Sequence, residues 1–161
     1  MDRKGPAYLR LGREYQVLSS NYNLTNSNRD IWSECDILVI TLGTSLDIAY
    51  EYVVPKLEKC NYQSGVIVLN KVWPIEDEIL QKIVRFQGPI ITVEDHFGHG
   101  GLRTILIEYL IVKGFDVSKV NGVNLGVSYT HKIGSSKYLT EHLLGPSLDG
   151  LDTYLKYLSD M

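Results

Sequence analysis

No stretch of this chain is apolar for long enough to cross a bilayer, which takes about 20 residues. No basic stripe runs along it. The formal net charge is −3 and the pI about 5.8, so nucleic acid is not an expected partner. Only Cys35 and Cys60 are cysteines, and they have no metal-ligand spacing. Two free thiols fit a cytoplasmic protein better than a disulfide-stapled one. The opening residues Met1 to Pro6 lack the apolar core of a secretory signal. There is no internal repeat and no low-complexity block. What is present suits a folded domain. Hydrophobic residues make up 44% of the 161, enough to bury a core, and that length favours one compact unit.

Three parts follow from composition. Residues 1–18 carry a short strand-like piece, Ala7-Tyr8-Leu9-Arg10-Leu11. Residues 19–30 are nearly all Ser, Thr and Asn, whose side chains compete with regular backbone hydrogen bonding, and read as a linker. Residues 31–161 form the main body, where strands and helices alternate. Asp36–Thr41 is apolar after its first residue, as in a parallel strand covered on both faces. Leu42-Gly43-Thr44 is a turn, and Thr44 with Asp47 matches a capping box. Leu46, Ala49, Tyr50, Val53 and Leu57 form the stripe of the helix that follows, and Pro55 should kink or shorten it. Gly65–Leu69 is a second strand. Pro74 is expected to open a helix with Ile79, Leu80 and Ile83 inward, ended by Gly88-Pro89.

Ile90–Val93 is a third strand, and residues 101–113 a third helix, ended by Gly114. Lys119–Leu125 is a weaker strand. Lys137–Leu144 is a short helix, Gly145-Pro146 a break, and a last helix places Leu148, Leu151, Leu155 and Leu158 inward. The pattern predicts a three-layer α/β domain with a mostly parallel sheet. Eleven tyrosines are present. Tyr15, Tyr22, Tyr50, Tyr52 and Tyr62 are read as core or rim residues, with an interface as the sharper alternative.

The run Thr92-Val93-Glu94-Asp95-His96-Phe97-Gly98-His99-Gly100-Gly101 concentrates titratable groups at a strand-to-helix turn. Ligands gather at such places in open α/β sheets. Glu94, Asp95, His96 and His99 suit a metal or acid–base cluster, or a small-ligand module built on the turn. A blander reading explains them as well. Helix N-termini favour negative side chains by about 0.3–1 kcal/mol, so the acidic pair serves the helix and the histidines a turn or interface. Gly100 and Gly101 allow a tight turn or close backbone approach. The blander reading is preferred, and no residue here is assigned as catalytic or as a metal ligand. His131 and His142 stand alone.

Several segments together resemble the C-terminal region of transketolase-like, thiamine-diphosphate-dependent enzymes, the group of transketolase and deoxyxylulose-phosphate synthase. Gly5–Arg13 resembles the last strand of the family's pyrimidine-binding domain. Asp36–Thr41 with Gly43-Thr44 resembles the first strand and turn of its C-terminal domain. Val72-Trp73-Pro74-Ile75-Glu76 and Thr92–His96 with Gly100-Gly101 resemble two further family segments, in the same order and spacing.

The resemblance implies a five-stranded sheet, mostly parallel with one antiparallel strand. It implies a dimer-supporting domain of a homodimeric transferase that moves a two-carbon ketol unit between phosphosugars. Thiamine diphosphate and magnesium would belong to the parent enzyme, because the Gly-Asp-Gly…Asn segment that holds them is absent here. This chain alone is therefore expected to bind no cofactor and to be inactive. Its partners are the remaining domains or subunit of the thiamine enzyme, and an excised piece is expected over a naturally split subunit. Arg13 matches an arginine that contacts the substrate phosphate in phosphosugar-using members. A guanidinium fork suits that role.

Overall fold

The computed structural model describes residues 34–127 and 131–159, apart from the side chains of Thr44 and Ser136. Arg13, the residue 7–11 strand, Tyr15 and Tyr22 lie outside the described residues, as does the Thr44 side chain of the expected capping box.

Four strands form one sheet: β1 (Ile37–Leu42), β2 (Ser64–Leu69), β3 (Ile90–Val93) and β4 (Val120–Val123). Their order is β2-β1-β3-β4 and every pairing is parallel. Successive side chains of a strand point to opposite faces, and here both faces are buried. Leu38 and Ile40 meet one apolar cluster, Ile37 and Val39 the other. The first cluster takes Leu80 and Ile83 from α3 (Asp77–Phe86) and Leu102, Leu106 and Leu110 from α4 (Leu102–Val112). The second takes Ala49, Val53 and Leu57 from the β1–β2 crossover and Leu144, Leu151 and Leu155 from α5 (Ser136–Ser159). Tyr52, Tyr62, Leu148 and Leu158 pack around it. This is the three-layer α/β arrangement that the alternation of elements required.

Three prolines meet three different fates. Pro55 was expected to kink its helix. The crossover indeed changes pitch, from a 3₁₀ turn (Gly43–Ser45) through α1 (Leu46–Ile48) and a π segment (Ala49–Val53) to α2 (Val54–Lys59). The wider π turn places Pro55 in the first turn of α2, where no amide hydrogen is needed. Pro74 does not open α3. It lies in the loop, and the helix starts at Asp77 after the extended Glu76, with buried Ile75 anchoring the approach. Pro146 does not divide the last segment, because α5 runs through it unbroken. Leu144 before it and Leu151 after it are both buried in the same cluster, and that burial outweighs one lost hydrogen bond.

The expected five-stranded sheet with one antiparallel strand is, among the described residues, four strands, all parallel. Side chains occupy the outward groups of β4 instead. Ser147 Oγ on α5 accepts from the Asn124 amide at 3.0 Å and donates to the Gly122 carbonyl at 3.4 Å. Asn121 Oδ1 takes the Gly122 amide at 2.7 Å, and Arg103 Nη2 donates to the Val120 carbonyl at 3.4 Å. Tyr154 donates its hydroxyl to the Lys119 carbonyl at 2.9 Å, and burial pushes that phenol up to about 12. Among the described residues this strand edge is met by side chains, chiefly from α5.

Ser147→Ala removes both bonds at once and should destabilise the fold by about 1–2 kcal/mol in urea titration. Thr153→Ala, whose hydroxyl bonds only its own exposed helix at Asp149, should stay within about 0.5 kcal/mol of wild type.

Candidate functional site: the turn between β3 and α4

Strand alternation divides the acidic pair. Glu94 follows β3 and continues its ladder, its amide donating to the Val123 carbonyl at 3.0 Å. Its side chain points inward and is 1% exposed. Asp95 points outward and is exposed. The two carboxylates adjacent in sequence thus occupy opposite environments.

The Glu94 carboxylate is spent on the next helix. Oε2 accepts from the Leu102 amide at 2.6 Å and Oε1 from the Arg103 amide at 3.3 Å. These are two of the amides that an α-helix leaves unpaired at its start. Gly101, the residue preceding α4, makes no side-chain cap of its own, so the cap arrives from the strand. A Cβ on Gly101 would fall on the Glu94 carboxylate. Burial raises the Glu94 carboxyl above the ordinary glutamate range, while the two amides, His96 and Arg103 pull it back. Gly100 has φ +74, and its amide donates to Thr104 Oγ1 at 3.2 Å. The glycine pair therefore has two uses: one residue turns the chain and the other makes room.

The remainder of the turn is fastened to its neighbours. The Asp95 amide donates to the fully buried Ser45 Oγ at 2.8 Å. Leu125 donates to the His96 carbonyl at 3.0 Å, and Gly98 to the Gly126 carbonyl at 2.9 Å. Asn124 Oδ1 takes the Gly126 amide at 2.9 Å. His96 and His99 are exposed, and His96 Nδ1 lies 2.8 Å from the Phe97 carbonyl, a bond that Nδ1–H satisfies. Ser45, Asn124 and Ser147 carry much of this geometry. They were missed because a lone Ser or Asn in a loop gives no distinctive signal in sequence.

With this strand order the topological switch point lies between β1 and β3, where open α/β sheets bind ligands. Here it is bridged by Ser45–Asp95 and by Thr41 Oγ1 donating to the Val93 carbonyl at 3.1 Å. A cavity of about 420 Å³ lies at the opposite, amino end of the sheet, lined by Cys60, Tyr62, Asp152, Leu155, Lys156 and Ser159. No group of three His, Cys, Asp or Glu side chains among the described residues is placed to hold a metal ion. Helix N-termini are the usual seat for phosphate, and at α4 that seat is filled by Glu94. No helix among the described residues is long and apolar enough to cross a membrane.

The transketolase C-terminal domain family matches residues 28–149. The chain belongs to that family. It is 30% identical over 115 residues to one subunit of the apulose-4-phosphate transketolase of Phocaeicola vulgatus, covering 68% of this chain and 36% of that protein. It is 30% identical over 132 residues to 1-deoxy-D-xylulose-5-phosphate synthase of Carboxydothermus hydrogenoformans, covering 80% of this chain and 21% of that protein. Among solved structures it shares its fold with a split-gene transketolase described as an inactive beta4 tetramer. The TM-score is 0.54 at 24% identity, over 70% of this chain and 36% of that one. The chain thus spans about a third or less of the length of these proteins.

Gly101→Ala should cost about 3 kcal/mol, because the added methyl must displace a buried carboxylate. The Glu94→Ala, Gly101→Ala double variant should lose less than the sum of the singles in the same unfolding assay, since the two residues share one contact. His96→Ala and His99→Ala should each stay within about 0.5 kcal/mol.

Glu94 also predicts a pH dependence. Its carboxyl is raised in the folded state, so the folded protein holds this proton more tightly than the unfolded chain does. The stability tied to the protonated form is full below the usual glutamate value, about 4.3. It is lost as pH rises from there through the folded-state value. Relative to Glu94→Gln, wild type should therefore lose stability as pH rises from about 4.3. A flat difference between the two proteins across that range would contradict the raised carboxyl.

Proposed function

We propose that this chain is the C-terminal, dimer-supporting part of a cytoplasmic, transketolase-like homodimer. The complete enzyme transfers a two-carbon ketol unit between phosphosugars, and this part is inactive alone. The family match over residues 28–149 carries the reading. A relative named as one subunit of a transketolase supports a division of the enzyme between chains. In the complete enzyme, thiamine diphosphate with magnesium would supply the carbanion chemistry, held by domains or a subunit beyond the residues described here. Residues 1–18 would then be the end of the pyrimidine-binding domain and 19–30 the linker.

The turn at Thr92–Gly101 has a supporting role in this reading. Its one buried carboxylate already has two amide partners, so it has little capacity left to act as a general base. The alternative of a small-ligand module at the same turn finds no support in the geometry, because the crevice beside it is bridged by Ser45.

Arg13 is assigned to the substrate phosphate. Its guanidinium would bind two phosphate oxygens at once and contribute to binding rather than to chemistry.

Calorimetric titration of the purified chain with thiamine diphosphate and magnesium should give no binding heat, and tight binding would sink this reading. In the enzyme assembled with its thiamine-binding part, Arg13→Met should raise KM for a phosphosugar by about 10- to 100-fold, as expected for losing a charged hydrogen bond. KM for the unphosphorylated sugar should hardly change. Equal effects on both sugars would remove Arg13 from the phosphate site.

A further inference from the structure

The last helix is held unevenly along its length. From Ser147 onward α5 is fastened turn by turn. Ser147 Oγ bonds the Asn124 amide and the Gly122 carbonyl. Both Asp152 oxygens take the Lys56 ammonium at 2.6 Å, and Tyr154 reaches the Lys119 carbonyl. Leu151 and Leu155 are buried, with Leu148 and Leu158 packed against the same cluster. The stretch before Pro146 is held far less. Lys137, Tyr138, Glu141 and His142 are exposed, and Leu139, Thr140 and Leu143 are half-buried. Of residues 137–144, Leu144 alone is buried. Among the described residues, what ties this stretch to another element besides Leu144 is the Tyr52 hydroxyl, which donates to Glu141 Oε1 at 3.3 Å.

The division falls at a proline inside the helix. Pro146 has no amide to give the His142 carbonyl four positions back, and its ring crowds that carbonyl. Helices bend where this ladder is interrupted. Direction then gives the loosely held stretch a place. Ser147 lies against Gly122 and Asn124 at the carboxyl end of β4, and Tyr154 reaches Lys119 at its amino end. α5 therefore runs antiparallel to the strands, and residues 136–145 project past the carboxyl end of the sheet. At 1.5 Å per residue they extend about 15 Å beyond Ser147. They also carry winding contacts of their own. Ser135 Oγ takes the Tyr138 amide at 3.2 Å, the Ser135 carbonyl takes the Leu139 amide at 3.0 Å, and Tyr138 stacks on His142 with planes 8° apart. We propose that residues 136–145 are a strap beyond the carboxyl end of the sheet, hinged at Pro146 and latched by Tyr52 on Glu141, which opens as a unit while the rest of α5 stays docked. Opening withdraws Leu144 from the cluster it shares with Val93 and Val123, the last residues of β3 and β4. That is the end of the sheet at which open α/β domains take their ligands.

Hydrogen exchange of the full chain, read peptide by peptide in a mass spectrometer, tests the strap. In wild type, amides of residues 137–145 should exchange about tenfold or more faster than those of residues 148–158, as separate opening units do. Tyr52→Phe keeps the packed ring and loses the latching hydroxyl. It should speed exchange in the strap by about 2- to 10-fold and leave residues 148–158 unchanged. Pro146→Ala supplies the missing amide and should slow exchange in the strap by about tenfold or more. Equal exchange along the whole of α5 would overturn the strap. Fast exchange that neither variant alters would be ordinary fraying of a helix end, and would overturn both hinge and latch.

Discussion

The structure turns on one buried carboxylate. Glu94 leaves water at the end of β3, and an ionised carboxylate without partners would not tolerate that burial. Its compensation is the start of α4, where two free amides and the positive end of the helix dipole face it. The arrangement works only because Gly101 has no side chain. A strand, a turn and a helix are thereby fixed to one another by a single group. The helix so placed delivers Leu102, Leu106 and Leu110 to the core and Arg103 to the edge of β4.

The same constraint decides what the turn can do. A general base needs a lone pair directed at substrate, and Glu94 directs both oxygens at the backbone of its own chain. The neighbouring crevice, where α/β sheets usually bind ligands, is bridged by Ser45 and Thr41. His96 and His99 remain on the surface with Asp95. Polar groups that look catalytic as a string of letters are, in space, mostly assembly hardware. That is consistent with the proposed reading, in which the chemistry belongs to other parts of the enzyme.

The parallel sheet was legible in sequence because a strand buried on both faces must be apolar at every position, and β1 and β3 nearly are. The helices α3 and α4 were legible from their leucine and isoleucine spacing. The prolines were not, since the rule that proline breaks helices is local and burial is not. Pro146 sits between Leu144 and Leu151, which the core holds on both sides, so the helix continues. Pro74 stands before the buried Ile75, and the helix waits until that anchor is set. In the site, the acidic pair was visible, but nothing in the letters said that Glu94 turns in and Asp95 out. That depends on where β3 stops pairing, which is fixed by Val123 on another strand. Ser45 and Ser147 were illegible for a related reason: each bonds a backbone group distant in sequence.

The sheet's β4 edge shows why a fifth strand was a reasonable expectation that the described residues nonetheless do not contain. An unpaired strand edge invites further pairing, and a family pattern with another strand would satisfy it. Here the outward groups of β4 are met one by one by Ser147, Asn121 and Arg103. Side-chain closure differs from strand closure in one important respect. It interrupts the row of free donors and acceptors that a further strand would use. Along this edge, what the domain presents is side chains.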